Sequence, residues 1–494
     1  MKPRSVDAYH QLEAIFEQHY HLKRVDALLQ WDTAVTMPDG SAGARAKQFA
    51  ALQQSLHAVV SGKRVAQLLA SAERSSARLS PWQQANLREM RAFHRRSVAL
   101  TDTLRSALSQ ATVLCESAWR AARAQNDYAQ FAKPFARVLE LVQRKAEHLA
   151  IAWCCEPYEA LMREYDEHRS LTQSESLFQA LQQALPPLIQ LAQAKQKATT
   201  PRLPALSLSL SRQNKLCHIV LRDLGFDFNT GRLDQSQHPF TEGGTGDIRV
   251  TTHFDAKNAC KGLLGAVHEY GHAAYDAGLP AQWHTQPVGQ ARGMSLHEGM
   301  ALFYEMALAR TPAFIHYLER LFKEQSWAFD KERYSASLLQ VAPGHIRIDA
   351  DELTYPAHIA LRYRIERSMM DGTLRIADLP EAWNSQMQSL LGITPTTLAE
   401  GCLQDIHWSM GLLGYFPSYA FGAVYGANLY QLMLQQHPDV MTASHKAPDF
   451  TAVGNWLEAR VACHGAFYAE HEMCSTLGLD DIPRYLQHLQ MRYC

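Results

Sequence analysis

The stretch KGLLGAVHEYGHAAYDAGLP, residues 261–280, gives the clearest structural signal in this chain of 494 residues. Its apolar residues recur at helical spacing, and Gly278 followed by Pro280 is a typical helix stop signal. Within the predicted helix, His268 and His272 stand four residues apart in the pentapeptide HEYGH. Residues at this spacing lie on one helical face, so both imidazoles can bind the same cation.

The residue types in this pentapeptide are those of a hydrolytic zinc site. Neutral imidazole suits zinc, and three protein ligands leave a fourth position for water. Glu269 is rotated by about 100° from His268, so it can reach a water on the metal rather than the metal itself. We therefore predict a zinc peptidase with Glu269 as the general base, and cobalt or manganese as other possible metals. The competing interpretation, an exposed helix with two solvated histidines, is weakened by small neighbours such as Gly265 and Gly271.

Spacing alone does not identify the third metal ligand. GMSLHEGMALFYE, residues 293–305, predicts a second helix that would project a carboxylate toward the first. The candidates are Glu298, Glu305, His284 and His297. Asp276, four residues after His272, is either an acceptor for the second N–H of a ligand imidazole or a surface acid at the helix end.

The remaining sequence predicts a mainly α fold with one small β-ribbon. The first 195 residues read as successive helices, and the pattern from Gly293 onward is again mainly helical. HPFTEGGTGDIRVTTHF, residues 238–254, has a Gly-rich turn followed by β-branched residues, which predicts a short hairpin or edge ribbon beside the HExxH helix. We expect a single compact body or two closely packed lobes.

A Thr/Pro/Ser-rich passage, Thr199–Ser211, separates two parts of the chain. Because clusters of these residues are typical of loops, we place a helical N-terminal part at about 1–198 and a metal-site part at about 212–494.

Composition excludes several classes of function. Hydrophobic residues make up 47% and charged residues 20%, and the formal net charge is -1, so neither nucleic acid nor membrane is an expected partner. No apolar run reaches the roughly 18 residues of a membrane span. The N-terminus lacks a signal-peptide core and has acids from Asp7 onward, which predicts a cytoplasmic protein. Nine cysteines without a C-x-x-C pair predict buried, reduced thiols.

Six motifs then stand in a characteristic order. They are HPF from His238, DIRVT from Asp247, HEYGH from His268, HEG from His297, IRIDAD from Ile346 and GCLQDIHW from Gly401. With these motifs the chain resembles the metallocarboxypeptidases of the carboxypeptidase Taq family. The resemblance covers nearly the whole chain and implies one peptidase domain, residues 1–494.

The resemblance also implies a fold and an activity. A largely helical protein with a deep groove, a zinc-type site and a homodimeric assembly would remove single residues from peptide C-termini with broad preference. By position in the motifs, Glu298 becomes the third metal ligand and Arg347 the anchor for the substrate's terminal carboxylate. His238 and Arg249 belong to motifs that shape the groove. One departure is Met300, where the family commonly has Gln, which puts subsite preference in question.

An exopeptidase must recognise a free carboxylate, and arginine does so with two parallel charge-assisted hydrogen bonds. Arg347 and Arg249 are candidates, with Arg362 and Arg364 behind them. We favour Arg347, whereas Asp247 lies two residues from Arg249 on the same strand face and favours a structural pair there.

The oxyanion of the tetrahedral intermediate needs a hydrogen-bond donor besides the metal, and a tyrosine hydroxyl or an imidazole can supply it. His407 and Tyr419 are the main candidates, ahead of Tyr415. The alternative interpretation is that these aromatic side chains pack in the core with satisfied polar atoms.

Three other interpretations compete with the carboxypeptidase prediction. An endo-acting zinc oligopeptidase on a related helical fold would not depend on a free C-terminus. An inactive, metal-binding peptide-capture protein would have no need for the base Glu269. A purely structural helical scaffold leaves the set of His268, His272 and Glu298 unexplained.

Overall fold

Helices form most of the regular structure, as the apolar periodicity predicts. The computed structural model describes residues 5–197, 207–441 and 448–494. In these ranges the α-helices are α1 (Ser5–Val35), α2 (Ala42–Ser61), α3 (Lys63–Glu73), α4 (Pro81–Val98), α5 (Asp102–Gln125), α6 (Tyr128–Trp153), α7 (Pro157–Met162), α8 (Leu171–Lys197), α9 (Leu210–Leu224), α10 (Ala259–Ala277), α11 (Met294–Leu302), α12 (Pro312–Glu324), α13 (Lys331–Leu338), α14 (Tyr355–Met370), α15 (Leu379–Leu391), α16 (Phe416–Gln436), α17 (Phe450–Arg460), α18 (Glu470–Leu477) and α19 (Ile482–Tyr493).

The sheet has three short strands, β1 (Gly231–Gln235), β2 (Thr241–Gly244) and β3 (Asp247–Thr252), in the order β1-β3-β2. Strands β2 and β3 pair antiparallel, with Thr241 opposite Val250, so the predicted hairpin is confirmed. Strand β1 was not predicted. It pairs parallel to β3, a contact between segments that are not adjacent in sequence.

Helix α10 carries the HEYGH motif and packs closely between the sheet and α11. It ends at Ala277 with Gly278 as C-cap, as the stop signal predicts. A side chain at Gly271 would place its Cβ 2.5 Å from the Cα of Ala301, so the backbones of α10 and α11 can meet only because this residue is glycine. Gly422 on α16 allows the same approach, because a Cβ there would lie 2.6 Å from Cγ of Glu298.

Three hydrophobic clusters hold the described helices together, the third being a small one of Leu149, Ala150 and Ala160. The largest cluster runs from Cys115 on α5 to Tyr493 on α19, so it crosses the predicted boundary near residue 198. The second includes Tyr9, Phe16 and Met90 and joins α1, α3 and α4. Most of the predicted separating passage, residues 199–206, lies outside the described residues, and α9 begins at Leu210.

Two expectations about the chain as a whole can be compared with the structure. All nine cysteines are free thiols, as predicted, but only five of them are buried, and Cys154 is exposed. Among the described helices, none combines the length and the apolar character that crossing a membrane requires.

Candidate metal centre and active site

Three side chains from two helices converge on one point. His268 and His272 on α10 present their Nε2 atoms to the carboxylate of Glu298 on α11, with Nε2–Oε2 distances of 3.9 and 3.8 Å. The potential ligand atoms all lie within 4.8 Å of one another, and in the described residues this is the one cluster of its kind. Glu298 is 6% exposed, and its neighbour Tyr355 donates a hydroxyl to Oε1 at 3.4 Å.

The other nitrogen of each imidazole is already engaged. His268 Nδ1 lies 2.9 Å from Oε2 of Glu305 and donates to it. His272 Nδ1 lies 2.6 Å from Nδ1 of His297, whose Nε2 is 3.2 Å from Asp276. Hydrogen bonds at Nδ1 fix the ring orientation and leave Nε2 for a cation. The donor set of two imidazoles and one carboxylate therefore fits a zinc-type ion.

The other candidates for the third metal ligand lie elsewhere around the cluster. Glu305 lies in the π-helical turn Phe303–Leu308 and contacts the far side of His268, where it also lies 3.6 Å from Arg310. His297 stands between His272 and Asp276, so Asp276 reaches the ligand imidazole through His297 rather than directly. His284 bonds the carbonyl of Ala281 at 2.6 Å and packs against the ring of Tyr20 instead.

The protonation of the two histidines differs. Burial lowers the pKa of His268, but the hydrogen bond to Glu305 and the charges of Glu298 and Glu269 outweigh burial and raise the pKa to about 10. Burial, His297 and His268 together hold the pKa of His272 well below its ordinary value. Because a cation binds only a deprotonated imidazole nitrogen, metal binding at this point competes with protonation of His268.

Glu269 lies beside the cluster without joining it. Its Oε2 accepts a hydrogen bond from the hydroxyl of Thr241 on β2 at 2.7 Å, and its backbone carbonyl accepts from the same hydroxyl at 2.9 Å. Burial raises the pKa of the carboxyl, whereas His268 and the Thr241 hydrogen bond oppose the rise. The β-hairpin thus orients a carboxylate whose basicity is increased by burial.

Arg347 is buried next to the cluster and is paired. Its Nε and Nη2 donate to Oδ1 of Asp405 at 3.2 and 3.0 Å, while Arg362 Nε donates to Oδ2 at 2.7 Å. The guanidinium of Arg347 lies 5.1 Å from the centroid of the Tyr419 ring. The acids nearest in sequence, such as Asp349, are not its partner. Burial raises the pKa of Glu298, and the positive charges of His268 and Arg347 partly oppose this rise.

The predicted oxyanion donors belong to one aromatic group. The His407 ring lies 5.7 Å from that of Tyr415 and 6.2 Å from that of Tyr419, and Tyr355 packs against Tyr419 at 6.4 Å between centroids. Burial lowers the pKa of His407 to about 4, although Asp405 opposes the shift, so its imidazole is neutral near pH 7. Tyr419 is connected to the metal cluster through Tyr355, whose ring packs against it and whose hydroxyl donates to Glu298.

The two other predicted substrate-binding residues lie on or beside the sheet. Arg249 on β3 donates to Asp247 at 3.0 Å and stacks over Trp31 at 4.3 Å, as the structural interpretation expects. His238 is exposed, and its carbonyl accepts a hydrogen bond from Ser236 at 2.6 Å. The next residue, Pro239, approaches α10 at Gly265, one turn before His268.

Comparisons with known proteins assign the chain to a family. A family model described as carboxypeptidase Taq (M32) metallopeptidase matches residues 11–493. The chain belongs to this family.

Individual relatives of the family cover nearly the same length. Carboxypeptidase 1 of Bacillus subtilis is 30% identical over 455 residues, which are 90% of this chain and 89% of that protein. Thermostable carboxypeptidase 1 of Thermus thermophilus is 30% identical over 475 residues, 93% of this chain and 92% of its own. The solved structure of Trypanosoma cruzi metallocarboxypeptidase 1 has a TM-score of 0.94 at 33% identity and covers 98% of this chain and 99% of its own. The protein is thus a metallocarboxypeptidase, and the resemblance read from its motifs is confirmed.

Three residues of this M32 carboxypeptidase site were not singled out from the sequence. Asp405 stands inside the motif GCLQDIHW, two residues before His407, so that motif could have indicated it. Tyr355, at the start of α14, lies outside the six motifs. Thr241 carries no such signal, because a threonine in a hairpin is expected from strand propensity alone.

Met300, the departure from the common family pattern, lies in the carboxypeptidase's hydrophobic core. Its side chain is 1% exposed, and its backbone carbonyl faces Gly271 at the crossing of α10 and α11. Met300 therefore packs α10 against α11, and this position does not explain an effect on subsite preference.

Proposed function

We propose that this metallocarboxypeptidase is zinc-dependent and releases single residues from peptide C-termini with broad preference. His268, His272 and Glu298 would hold the zinc. The observation that carries the proposal is the convergence of these ligand atoms beside a buried arginine, Arg347, whose charge acts on Glu298. A metal and a guanidinium side by side suit a substrate that ends in a carboxylate next to its scissile bond.

Zinc, when bound there, would acidify a water and polarise the scissile carbonyl. Glu269 takes the proton of the attacking water and delivers it to the leaving amine. Its raised pKa makes it a stronger base than an exposed glutamate, and Thr241 holds its carboxylate in place. Neither step requires Glu269 to leave its position on α10.

Arg347 binds the terminal carboxylate and so selects the last peptide bond. Tyr419 and the neutral His407 are the donors we assign to the oxyanion of the tetrahedral intermediate, since both lie on the Arg347 side of the metal cluster. His238 and Arg249 would shape the groove wall through the β-ribbon. Their contacts with Ser236 and Asp247 support an indirect role.

We further propose that residues 1–494 act as one peptidase domain and that the active form is a homodimer. Continuity of the largest cluster from α5 to α19 supports the first statement. Sedimentation velocity of the purified protein tests the second, and a single species at the monomer mass contradicts it.

The test of activity uses one peptide in two forms, with a free C-terminal carboxylate and as the C-terminal amide. Zinc-reconstituted protein should shorten the free acid residue by residue, as followed by mass spectrometry, and leave the amide intact. Chelator and the Glu269→Gln variant should stop the reaction. Internal cleavage of both forms would indicate an endo-acting oligopeptidase, and binding of both without cleavage would indicate a peptide-capture protein.

A further inference from the structure

One fully buried carboxylate outside the metal cluster accepts three hydrogen bonds. Glu366 on α14 is 0% exposed. Its Oε1 accepts from Nε1 of Trp408 at 2.8 Å, and its Oε2 accepts from the backbone N–H of Gly414 at 2.9 Å and from the hydroxyl of Tyr158 at 2.8 Å. A side chain without accessible surface cannot contact a substrate, so any effect on catalysis must pass through the groups that it binds.

Two of these three donors flank the predicted oxyanion donors. Trp408 directly follows His407, and Gly414 directly precedes Tyr415. The described segment 408–414 between them consists of turns without a helix or a strand. One carboxylate therefore binds both ends of an irregular segment. Because the rings of His407 and Tyr415 stack at 5.7 Å between centroids, fixing these ends also fixes the ring pair.

Packing fits each end of the segment to one position. Gly414 has a φ of +83°, and a Cβ there would lie 2.8 Å from the carbonyl carbon of Leu161 on α7, the helix that carries Tyr158. At the other end, the indole of Trp408 stacks on Phe135 at 6.1 Å between centroids. The hydrogen bonds thus join two chain ends that already have a defined place.

These donors require a carboxylate rather than an amide. An ionised glutamate only accepts hydrogen bonds, whereas a glutamine of the same size would turn an NH₂ group toward one of the three donors. Burial raises the pKa of Glu366 to about 7, and the three hydrogen bonds and the charge of Arg362 oppose this rise. A buried charge is kept only where partners stabilise it, and here the partners lead to the active site.

We propose that Glu366 is a positioning residue of this carboxypeptidase, which holds His407 and the ring pair of Tyr415 and Tyr419 at the oxyanion by binding both ends of segment 408–414. Tyr415 reaches Tyr419 through a ring contact of 4.9 Å. The inference rests on the proposed function, because that function assigns the oxyanion to His407 and Tyr419.

The experiment is the steady-state kinetics of Glu366→Gln on a free-acid peptide, measured above the pKa of Glu366. We expect kcat to fall by about 10- to 100-fold, because a small displacement of catalytic groups by a remote change has an effect of this size. The factor for kcat/KM should be the same, since the lost interaction is made only in the transition state. Zinc content should equal that of wild type, because the predicted ligands bind other groups.

The indole N–H of Trp408 gives a spectroscopic readout that a loss of stability does not produce. Its signal in a ¹H–¹⁵N spectrum can be assigned as the one missing from Trp408→Phe. In Glu366→Gln this signal should move upfield, because a charge-assisted hydrogen bond is lost.

Two controls separate positioning from stability. Tyr158→Phe removes the third hydrogen bond to the same carboxylate, but Tyr158 lies on α7 and not in segment 408–414. It should lower the urea midpoint and keep the wild-type kcat. Glu175→Gln alters an exposed glutamate that accepts a hydrogen bond from Tyr363 on α14 at 2.7 Å, and it should also keep kcat.

A wild-type kcat in folded Glu366→Gln would overturn the proposal and leave the carboxypeptidase assignment intact. An equal loss of kcat in Tyr158→Phe, an unmoved indole signal, or zinc lost together with activity would overturn it too. If Glu366→Gln fails to fold, Trp408→Phe decides: a reduced kcat with wild-type zinc content supports the proposal, and a wild-type kcat refutes it. Failure of the wild-type enzyme to release any C-terminal residue would instead count against the proposed function.

Discussion

Arg347 and Asp405 form a buried ion pair, with Nη2 of the arginine 3.0 Å from Oδ1 of the aspartate. Asp405 is shared, because Arg362 binds its other oxygen. Burial favours the neutral acid, but the two guanidinium groups outweigh burial and hold the pKa of Asp405 well below its usual range. Two cations and one anion leave a net positive charge beside the metal cluster, which is what a terminal carboxylate requires.

Arg347→Lys should therefore weaken binding of free-acid peptides, because lysine cannot contact Asp405 and a substrate carboxylate with one planar fork. We expect kcat/KM to fall by about tenfold or more, the cost of about one charge-assisted hydrogen bond. Steady-state kinetics on a free-acid peptide measures the change. Arg364→Lys is the control, since Arg364 is exposed and bonds only Gln386 among the described residues. Equal losses in both variants would contradict a specific role for Arg347.

The contact between Thr241 and Glu269 predicts a shift in the pH profile. Glu269 acts as a base only when it is ionised, and burial raises its pKa. As the pH is lowered, activity should therefore be lost at a higher pH than it would be with an exposed glutamate. Thr241→Val removes a hydrogen bond that favours the ionised form, and the acid limb of kcat/KM should move further upward. Thr241→Ser keeps the hydroxyl and should behave like wild type. An unchanged acid limb in Thr241→Val would show that Glu269 does not set it.

The catalytic role of Glu269 should be separable from metal binding. Glu269→Gln keeps the size of the side chain but removes the base, so kcat should fall by about 10²- to 10⁴-fold. Zinc content after dialysis should remain that of wild type, because the ligand atoms belong to other residues. A variant that loses zinc together with activity would place Glu269 among the ligands instead.

Glu305 and His297 should control the affinity for zinc through the imidazoles that they orient. Loss of such supporting hydrogen bonds typically weakens metal binding by about 10- to 100-fold. Competition titration with a chromophoric chelator should show this for Glu305→Ala, which frees His268 Nδ1. Glu319→Ala, a surface change near Lys331, should bind zinc normally. Undiminished affinity in Glu305→Ala would mean that the packing of α10 alone orients His268.

The parts of the fold and site that sequence reasoning predicted depend on local patterns. Helix α10 follows from apolar spacing and a stop signal of Gly278 and Pro280, and the β2–β3 hairpin follows from a Gly-rich turn followed by β-branched residues. His268, His272 and Glu269 share one helix, so helical geometry alone relates them.

The parts that were missed depend on contacts between distant segments. Strand β1 is short and polar, and it exists because β3 offers it a parallel partner. Asp405 is 58 residues from Arg347, so no local pattern pairs them. Glu298 and Glu305 stand seven residues apart, close to two helical turns, and both face α10. Only the crossing of α10 and α11 at Gly271 brings Glu298 to Nε2 and Glu305 to Nδ1.

Glu352 provides a test of stability away from the active site. It is 6% exposed and attaches the C-terminal helix α19 through His488 at 3.1 Å, Arg492 at 3.1 Å and the hydroxyl of Tyr493 at 2.7 Å. Burial raises its pKa, but Arg492, His488 and Arg310 outweigh burial and lower the value from 4.5 to about 2.

Because the folded-state pKa is depressed, the stabilisation is present above pH 4.5 and is lost as the pH falls toward 2. A shift of this size corresponds to about 3 kcal/mol of unfolding free energy. Glu352→Gln should therefore be less stable than wild type at neutral pH by about that amount, and the two urea midpoints should converge as the pH approaches 2. Glu324→Gln, which alters an exposed glutamate near Arg320, should follow wild type throughout. A constant difference between wild type and Glu352→Gln across the acid range would show that the amide disturbs packing rather than removing a charge.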